Sequence, residues 1–542
     1  MSTPTQTPQS ERDVRIAKAQ ALREMGINPY AQKFDKTSMI GDHLGTYQKN
    51  LADGESSPFR DINDIIAGPV SSISTAGRLT LYRTHGKLSF GKLMDESGEI
   101  QLMWHTDACS LIGLHLSLPN GLTPYKLLEK YIDVGDFLGV RGELFYTHKG
   151  ELTLFVSEWM LLSKAIRPLG DKFHGIGDDK ENAYRQRYLD MIFNRETLER
   201  MKLRSTFIKT LREFYRNNGF IELETPILGT SASGAAAQPF ITHHNDFDIE
   251  MYLRIAPEIA LKMATVGGLE KVFEIGKDFR NEGSSPAHHQ EFTVAEHYAA
   301  YRSYEDNMRF TEQMFDYLFD HIPQLKRKVN IADKEGVVRE VDFTTPRPRI
   351  DYIAQIKADS GIDVSTYSSH DEERLRADIL AKGFTRVGIE KQGVATMIDY
   401  LYKKVTRPKI IGPAFIYNYP KAMQPLARSA DHNKTIAEQF QCIVNGREIL
   451  KAYSELVDPL EQQANFDEQL GAIAKGDEEA TKGDDDFVRA MEYGMPCQSG
   501  RGMGLERILA MLTEQSNIRD VILFPMVKPV DSGKNNTEEE KK

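Results

Sequence analysis

The spacing of apolar residues shifts repeatedly along the chain, and each shift predicts a different kind of element. Over residues 11 to 25, ERDVRIAKAQALREM, it predicts a helix that ends at Gly26, with Pro29 beyond as a stop. Arg12, Arg15 and Lys18 recur at every third position, which gives that helix a positively charged face. From about 66 to 163 the period falls to two. ISTAGRLTLYRTHGKLSFGKLMDESGEIQLMWH alternates polar and apolar residues around a DESG turn, and VGDFLGVRGELFYTHKGELTLFVSEWMLL repeats the pattern, broken by HKG. Several strands within about 100 residues match the size of an OB-fold barrel. RPLGDKFHGIGDDKENAYRQRY, rich in Gly, Asp and charge, reads as a linker.

A helical period returns with Phe207, Ile208, Leu211, Phe214 and Tyr215 on one stripe, closed by NNG. The strand FIELETP follows, and Pro226 ends it or marks it as an edge. The expected boundaries are a tail and helical segment over 1–65, a barrel over 66–166, a linker over 167–187, a mixed domain over 188–527 and a disordered tail over 528–542. The acidic stretch KGDEEATKGDDDF, 475–487, reads as a solvated insertion, and no internal repeat is present.

Composition narrows the class. At 542 residues the chain has length for about 2 to 4 domains, and no run approaches the ~18 apolar residues of a membrane helix. MSTPTQTPQSERD lacks the apolar stretch of a secretory signal. Cys109, Cys442 and Cys497 are far apart and form no CxxC, which disfavours a zinc ribbon or disulfide framework and fits a reducing cytoplasm. The net charge of −11 argues against indiscriminate coating of nucleic acid. The first 166 residues are near balance, 17 Lys+Arg against 19 Asp+Glu, so a polyanion approaches them more easily than the acidic remainder.

Candidate chemistry concentrates in KVFEIGKDFRNEGSSPAHHQEFTVAEHY, residues 271 to 298. Period-two alternation puts Glu274, Asp278, Arg280 and Glu282 on one face and Phe273, Ile275 and Phe279 on the other. After the GSSPAHH loop, Phe292, Val294, Glu296 and Tyr298 share a face. An antiparallel hairpin would thus offer a floor of Arg280, Glu282, Phe292, Glu296 and Tyr298: a guanidinium fork for phosphate or carboxylate, an aromatic face for a base, and carboxylates for an amine. An exposed cross-strand ion-pair ladder accounts for the charge pattern equally well. Neighbouring strand histidines point to opposite faces, so neither His288–His289 nor His243–His244 chelates a metal by itself. Near the C-terminus, GRGMGLERILAML is a glycine-rich strand leading into a helix. That helix buries Leu505, Ile508, Leu509 and Leu512 and projects Arg507 away from them.

Three features then stand in fixed order: GFIELETP, the arginine hairpin FRNEG…QEF, and GMGLER. Together they resemble motifs 1, 2 and 3 of class II aminoacyl-tRNA synthetases. Within that class the chain most resembles the lysyl-tRNA synthetases. LREMGINPY, LLSKAIRPLGDKFHG, YRQRYLD, PFITHHN, YLRIAPE, SEL and IRDVILFP match that family's pattern from about residue 12 to 527.

The resemblance implies an α+β fold: an N-terminal helix plus OB-fold β-barrel, then a class II catalytic domain on an antiparallel sheet flanked by helices. It implies attachment of L-lysine to tRNA(Lys) through a lysyl-adenylate, with ATP as substrate, Mg2+ as cofactor, and a cytoplasmic homodimer with no membrane partner. Arg280 would bridge the lysine carboxylate and the α-phosphate, Arg507 would hold the γ-phosphate end, and His288 would approach the phosphates. Glu282 would read the adenine amino group, Phe292 would stack on the ring, and Glu448 would bind magnesium. Glu258, near the Gly234 backbone, would take the α-amino group. Glu455 would take the side-chain ammonium, with Glu296 and Tyr298 nearby and Tyr453 against the aliphatic stem. In the barrel, Phe90 would stack an anticodon base and Gln101 would bond a base edge, with Arg78 and Glu151 at matching strand and loop positions.

Several positions depart from the family pattern. Gln441 stands in place of a second magnesium-side glutamate and brings an oxygen without charge, leaving the number of ions open. Lys451 replaces an asparagine before AYSEL, His289 falls within HHQEF, Arg501 replaces an apolar residue between glycines, and Gln238 replaces an arginine. An aspartate or asparagine synthetase, a paralogue that lysylates a protein and a non-catalytic tRNA-binding paralogue are the alternatives. RIAPE and Glu455 weigh against the first, since an acidic substrate would need a cation there, and the anticodon barrel weighs against the second.

Overall fold

A computed structural model describes residues 10–52, 59–113, 118–169, 179–235, 237–333, 336–344, 346–368, 370–424, 426–474 and 483–529. The middle of the expected linker, most of the acidic insertion and nearly all of the expected tail lie outside the described residues. The chain forms two compact units, Met1–Gly177 and Asp178–Lys542. Among the described residues no helix is long and apolar enough to cross a membrane.

In the first unit, strands Ile73–His85, Leu88–Met94 and Glu99–His105 form a meander, and Phe137–Tyr146 and Leu152–Ser163 form a hairpin. Ile73–His85 pairs antiparallel with Phe137–Tyr146, and Glu99–His105 pairs parallel with Leu152–Ser163, so the sheet closes on itself as a barrel. Closure removes the open edges that short strands otherwise expose. Its interior holds Leu79, Leu93, Leu102, Trp104, Leu138, Val140, Leu154 and Trp159. The helix Pro124–Tyr131, which alternation did not predict, inserts between the meander and the hairpin. Thr123 caps it, Pro124 starts it, and Tyr125, Leu127 and Leu128 are buried.

The N-terminal helix is Glu11–Glu24, capped by Ser10. Its expected positive face is corrected: only Arg12 of the three basic residues stays well exposed. Arg15 is buried and donates to the carbonyls of Val134 and Ala165, at 3.0 and 3.3 Å, while Lys18 pairs with Asp133 at 2.6 Å. Asp133 and Asp136 also receive Lys164, whose side chain is fully buried. The basic residues therefore clamp the helix to the barrel, since burying their charge requires these partners.

The second unit is built on an eight-stranded sheet. Its order is Arg349–Asp351, Ala414–Pro420, Ile436–Val444, Arg447–Ser454, Gln498–Gly504, Glu291–Ala300, Lys271–Phe279 and Ile221–Glu222, antiparallel except at its two outer pairs. FIELETP supplies only Ile221–Glu222, as an edge. One face of the sheet carries the helices Arg195–Asn217, Tyr304–His321 and Leu505–Leu512. Phe207, Leu211, Phe214, Tyr215, Met314, Phe315, Ile508 and Leu509 pack there against Phe273, Ala295, Ala299 and Met503. The opposite face is left for the cavity described below.

Gly142 tests the barrel's closure. It pairs with Val156 beside a register shift, and a Cβ there would lie 1.7 Å from the Phe155 carbonyl oxygen. Gly142→Ala is expected to cost about 1–3 kcal/mol or more by overpacking against backbone. Gly45→Ala, where a Cβ would meet nothing within 4 Å, is expected to cost none. Thermal melts of the full chain check both.

Candidate active site

The two hairpin strands run in register, with Asp278 opposite Phe292 and Glu274 opposite Glu296. Alternation from Phe292 sends Val294, Glu296 and Tyr298 into a cavity of about 860 Å³. Register carries two rows across the sheet from these residues. Glu296 lies opposite Gly502, Gly502 opposite Lys451, and Lys451 opposite Gln441. Tyr298 lies opposite Gly500, Gly500 opposite Tyr453, and Tyr453 opposite Gln439. The glycines are needed for close approach. A Cβ at Gly500 would lie 2.2 Å from the Tyr298 ring and 2.7 Å from Glu455 Oε1, and one at Gly502 would lie 3.2 Å from Glu296 Oε2.

One end of the cavity is acidic. Tyr298 donates to Glu296 Oε1 at 2.7 Å, and Tyr453 donates to Glu258 Oε1 at 2.7 Å. Between these groups stands a residue the sequence reading missed, Lys262 of the helix Glu258–Val266. Its Nζ is 2.5 Å from Glu258 Oε1 and 2.5 Å from Glu455 Oε2. The rings of Tyr298, Tyr453 and Phe487 surround it at 5.6, 5.6 and 5.7 Å. Burial works against that charge, yet Glu258 and Glu455 outweigh it and hold the ammonium above its ordinary range. The available signal was the i,i+4 spacing of Glu258 and Lys262 on one helix.

Glu455 is brought to this end but not to the cavity surface. It is buried behind the wall, where Lys262 draws it inward, and neither of its oxygens accepts a well-aligned hydrogen bond among the described residues. Burial raises its carboxyl above the usual range against the pull of Lys262. Burial, and then the charge of Glu258, pushes Glu296 up to about 8. Gly234 lines the wall beside Glu258 with φ +90°, a conformation that favours glycine.

The other end is cationic. Arg280 donates to the Ile255 carbonyl oxygen at 3.3 Å and lies 5.2 Å above the Phe292 ring. Arg507 donates to the carbonyls of Glu448 and Ala287, at 3.1 and 3.4 Å. Both guanidiniums hold neutral oxygens, and among the described residues neither forms an ion pair. Burial lowers the Arg507 pKa, which marks a cation with little solvent to support it. Glu282 and His288 stand on the exposed loop at the mouth, where His288 shares a hydrogen bond with Ser285. His289 has a different task. Its Nδ1 is 2.8 Å from the Glu291 carbonyl and its Nε2 accepts from the Met526 amide, so it staples the loop to the C-terminal segment.

Glu448 lines the cavity, whereas Gln441 does not, and its amide oxygen accepts from Tyr419 at 2.8 Å. Glu448 thus faces the cavity while the Gln441 oxygen is engaged by Tyr419. Among the described residues no group of three or more His, Cys, Asp and Glu could hold a metal. A single carboxylate fits a magnesium ion that arrives mostly ligated by phosphates and water. Arg501 leaves the sheet on the helix side, donating to Thr311 and Tyr215 at 2.8 and 2.9 Å, away from the cavity. Gln238 lines the cavity.

In the barrel unit, register places Arg78 opposite Met94, Phe90 opposite Met103 and Gln101 opposite Lys92, which brings Arg78, Phe90 and Gln101 to one face. Phe90 is half-buried against Met103, Phe145 and Phe155. Gln101 donates to Thr153 Oγ1 at 2.9 Å, Arg78 donates to the Gly135 carbonyl at 2.9 Å and lies over Phe137, and Glu151 is exposed.

Residues 179–528 match the family model of class II tRNA synthetases (D, K and N), and residues 66–162 match that of the OB-fold nucleic acid binding domain. The chain is 39% identical over 518 residues to a lysine–tRNA ligase of Carboxydothermus hydrogenoformans, covering 96% of this chain and 98% of that one. It is 41% identical over 518 residues to one from Fervidobacterium nodosum, covering 96% and 94%. It is 40% identical over 520 residues to one from Thermotoga maritima, covering 96% of each.

Lys262 should be a keystone of stability. Lys262→Met leaves Glu455 buried without its cation, a change expected to cost about 3–5 kcal/mol. The cost should depend on pH. The stranded carboxyl, already raised, rises further and keeps a proton that the unfolded chain gives up, so stability falls as pH rises. Denaturant titrations should show a small deficit near pH 5 and the full one near pH 9. An equal deficit at both would refute the pairing.

Proposed function

The chain belongs to the lysine–tRNA ligases of the class II aminoacyl-tRNA synthetases, and on that premise we propose that its cavity forms lysyl-adenylate from L-lysine and ATP and passes the lysyl group to tRNA(Lys). One observation carries this reading: the cavity is bipolar, with Glu258, Glu296 and the buried Glu455 at one end and, at the other, two guanidiniums that form no ion pair among the described residues. A cationic amino acid and a polyphosphate complement those ends when laid side by side. The resident ammonium of Lys262 supports the acid end as a cation site, because two carboxylates and three aromatic rings already stabilise one there.

In the first step a lysine carboxylate oxygen bonds to the α-phosphorus while the bond to pyrophosphate breaks. Arg280, steadied by Phe292 and the Ile255 carbonyl, reaches both the carboxylate and the α-phosphate. Arg507 takes the γ-phosphate end with His288 nearby. Charge is neutralised by groups already in place, which is where most of the rate is gained. Phe292 stacks on adenine and Glu282 reads its amino group. Glu448 would ligate magnesium, which would screen the phosphate charge. Glu258 takes the α-amino group beside Gly234. The side-chain ammonium enters over Gly500 towards Glu296 and Glu455, between Tyr298 and Tyr453. In the second step a terminal hydroxyl of the tRNA attacks the carbonyl carbon and AMP leaves.

The barrel face of Arg78, Phe90 and Gln101, with Glu151 beside it, is assigned to the anticodon, since aromatic platforms and polar edges are how such folds hold unstacked bases. A homodimer completes the reading. Exposed Ile221, Ile227, Leu228 and Ile241, near the edge of the large sheet, supply apolar surface for it. Free cysteines fit a cytoplasmic setting.

Lysine-dependent exchange of pyrophosphate into ATP tests the activity directly. Arg280→Ala should lower it by about 100-fold or more. Glu455→Gln should raise the KM for lysine at least about tenfold, roughly 1.4 kcal/mol, while leaving the KM for ATP nearly unchanged. Equal shifts would remove Glu455 from the lysine site. Because Glu296 must lose its proton to receive an ammonium, lysine affinity should rise from about pH 6 to about pH 8 and flatten above, and Glu296→Gln should abolish the slope.

A further inference from the structure

A chain of polar side chains runs through the helix-side core behind the acid end of the cavity. Tyr215, His297, Asn307, Ser499 and Arg501 are all buried there, and the rings of Phe220 and Phe310 close on His297 at 5.2 and 5.3 Å. Arg501 donates to the Tyr215 hydroxyl at 2.9 Å, and that oxygen lies 3.1 Å from His297 Nδ1. On the other side of the ring, His297 Nε2 is 2.9 Å from Asn307 Oδ1. Asn307 Nδ2 donates to Ser499 Oγ at 2.9 Å, and Ser499 donates to the Tyr453 carbonyl oxygen at 2.8 Å.

The two ends give the chain a direction. A guanidinium only donates, and a carbonyl oxygen only accepts. Ser499 commits its one proton to Tyr453, so it must accept from Asn307, whose amide oxygen is left to face His297. Nε2 therefore carries the imidazole proton and Nδ1 is bare. The Tyr215 hydroxyl donates to Nδ1 while accepting from Arg501. Burial, and then the Arg501 charge, holds the His297 pKa well below its ordinary range, in keeping with a neutral ring. Every side chain between the ends thus both donates and accepts. Hydrogen bonds weaken steeply when misaligned, so such a chain fixes its members more tightly than apolar contact does.

What it fixes is the acid end, held from behind. Tyr453 is itself a wall residue, Ser499 and Arg501 flank Gly500, and His297 lies between Glu296 and Tyr298. In register, His297 stands opposite Arg501 and Tyr453 opposite Gly500. Tyr215 and Asn307 tie these three strands to the helices Arg195–Asn217 and Tyr304–His321. Tolerance at this end is small, because a Cβ at Gly500 would lie 2.2 Å from the Tyr298 ring. Arg501, where the chain of bonds starts, is one of the departures from the family pattern.

We propose that Arg501, Tyr215, His297, Asn307 and Ser499 form a positioning relay for the lysine site: they touch no substrate, and they set the backbone separations among Glu296, Gly500 and Tyr453. Resting on the function proposed above, this gives the pocket a frame that its own lining does not contain.

Two cuts at different links test the relay in lysine-dependent pyrophosphate exchange by the full chain: Tyr215→Phe, which keeps the ring and removes the hydroxyl, and Ser499→Ala. Each should raise the KM for lysine about fivefold, the loss of roughly one net hydrogen bond, and leave the KM for ATP within about twofold of wild type. Independent effects would multiply to about 25-fold in the double variant, whereas two cuts in one relay leave it near the larger single effect. A lysine KM within about twofold of wild type in both single variants, equal rises in the two KM values, or a multiplied effect in the double variant overturns the assignment. Should Tyr215→Phe not fold, Asn307→Leu makes the cut at the centre and the same outcomes decide. The direction of the chain is read without turnover, by nitrogen-15 NMR of the protein labelled at histidine. The resonances lost in His297→Gln should be those of a neutral ring protonated at Nε2, and a proton on Nδ1 overturns the relay as well. Exchange by the wild type, run in parallel, tests the function itself, so unchanged KM values in an active enzyme count against the relay alone.

Discussion

The site depends on how charge is carried out of water. Glu258 and Glu455 are buried, as is the ammonium between them, and each ion costs several kcal/mol to bury unless its neighbours compensate. Lys262 lets two carboxylates share one small volume without repelling each other apart. Tyr298 and Tyr453 add hydroxyl donors and ring faces to the same cluster. At the opposite end, among the described residues, Arg280 and Arg507 donate to carbonyl oxygens and form no ion pair. The contrast gives the cavity its direction. One end is acidic and internally paired, and the other presents cations that donate to carbonyl oxygens.

The sheet supports that polarity from beneath. Its helix-covered face is close-packed with Phe273, Ala295, Ala299 and Met503, which fixes the strands to within the small tolerance of a packed core. Glu506 ties the helix Leu505–Leu512 to the hairpin by accepting from the Thr293 amide at 2.9 Å, and to the helix Arg195–Asn217 by accepting from Arg204 at 2.7 Å. Arg507, one residue on, is thereby held at the cavity wall rather than left free on a surface helix.

Much of this was legible in the sequence, and the failures share a cause. Period-two alternation was enough to put Phe292, Val294, Glu296 and Tyr298 on one face, because a strand's geometry is local. It left Arg501 as a departure between two glycines, and only the structure shows Thr311 and Tyr215 receiving it on the helix side. What sequence hid were partnerships between distant segments. Arg15 and Lys18 have the spacing of an exposed basic face, but Asp133 and the carbonyls of Val134 and Ala165 lie more than 100 residues away in the chain. Lys262 belonged to an ordinary helical pair until Glu455 came to meet it. Gln441 kept a strand position suited to the cavity, and Tyr419 engaged its oxygen. The helix Pro124–Tyr131 was missed because a short apolar run between strands reads much the same in either form.

Gly500 carries an evolutionary corollary. Any larger side chain there meets both Tyr298 and Glu455, residues that reach it from two other segments of the chain. On the proposed reading of the cavity, a lineage drifting towards another amino acid could not begin at this position. It would first have to shorten Tyr298 or withdraw Glu455, and each of those steps removes a partner of the buried Lys262 ammonium. The order of permissible substitutions is thus constrained by one missing methyl group.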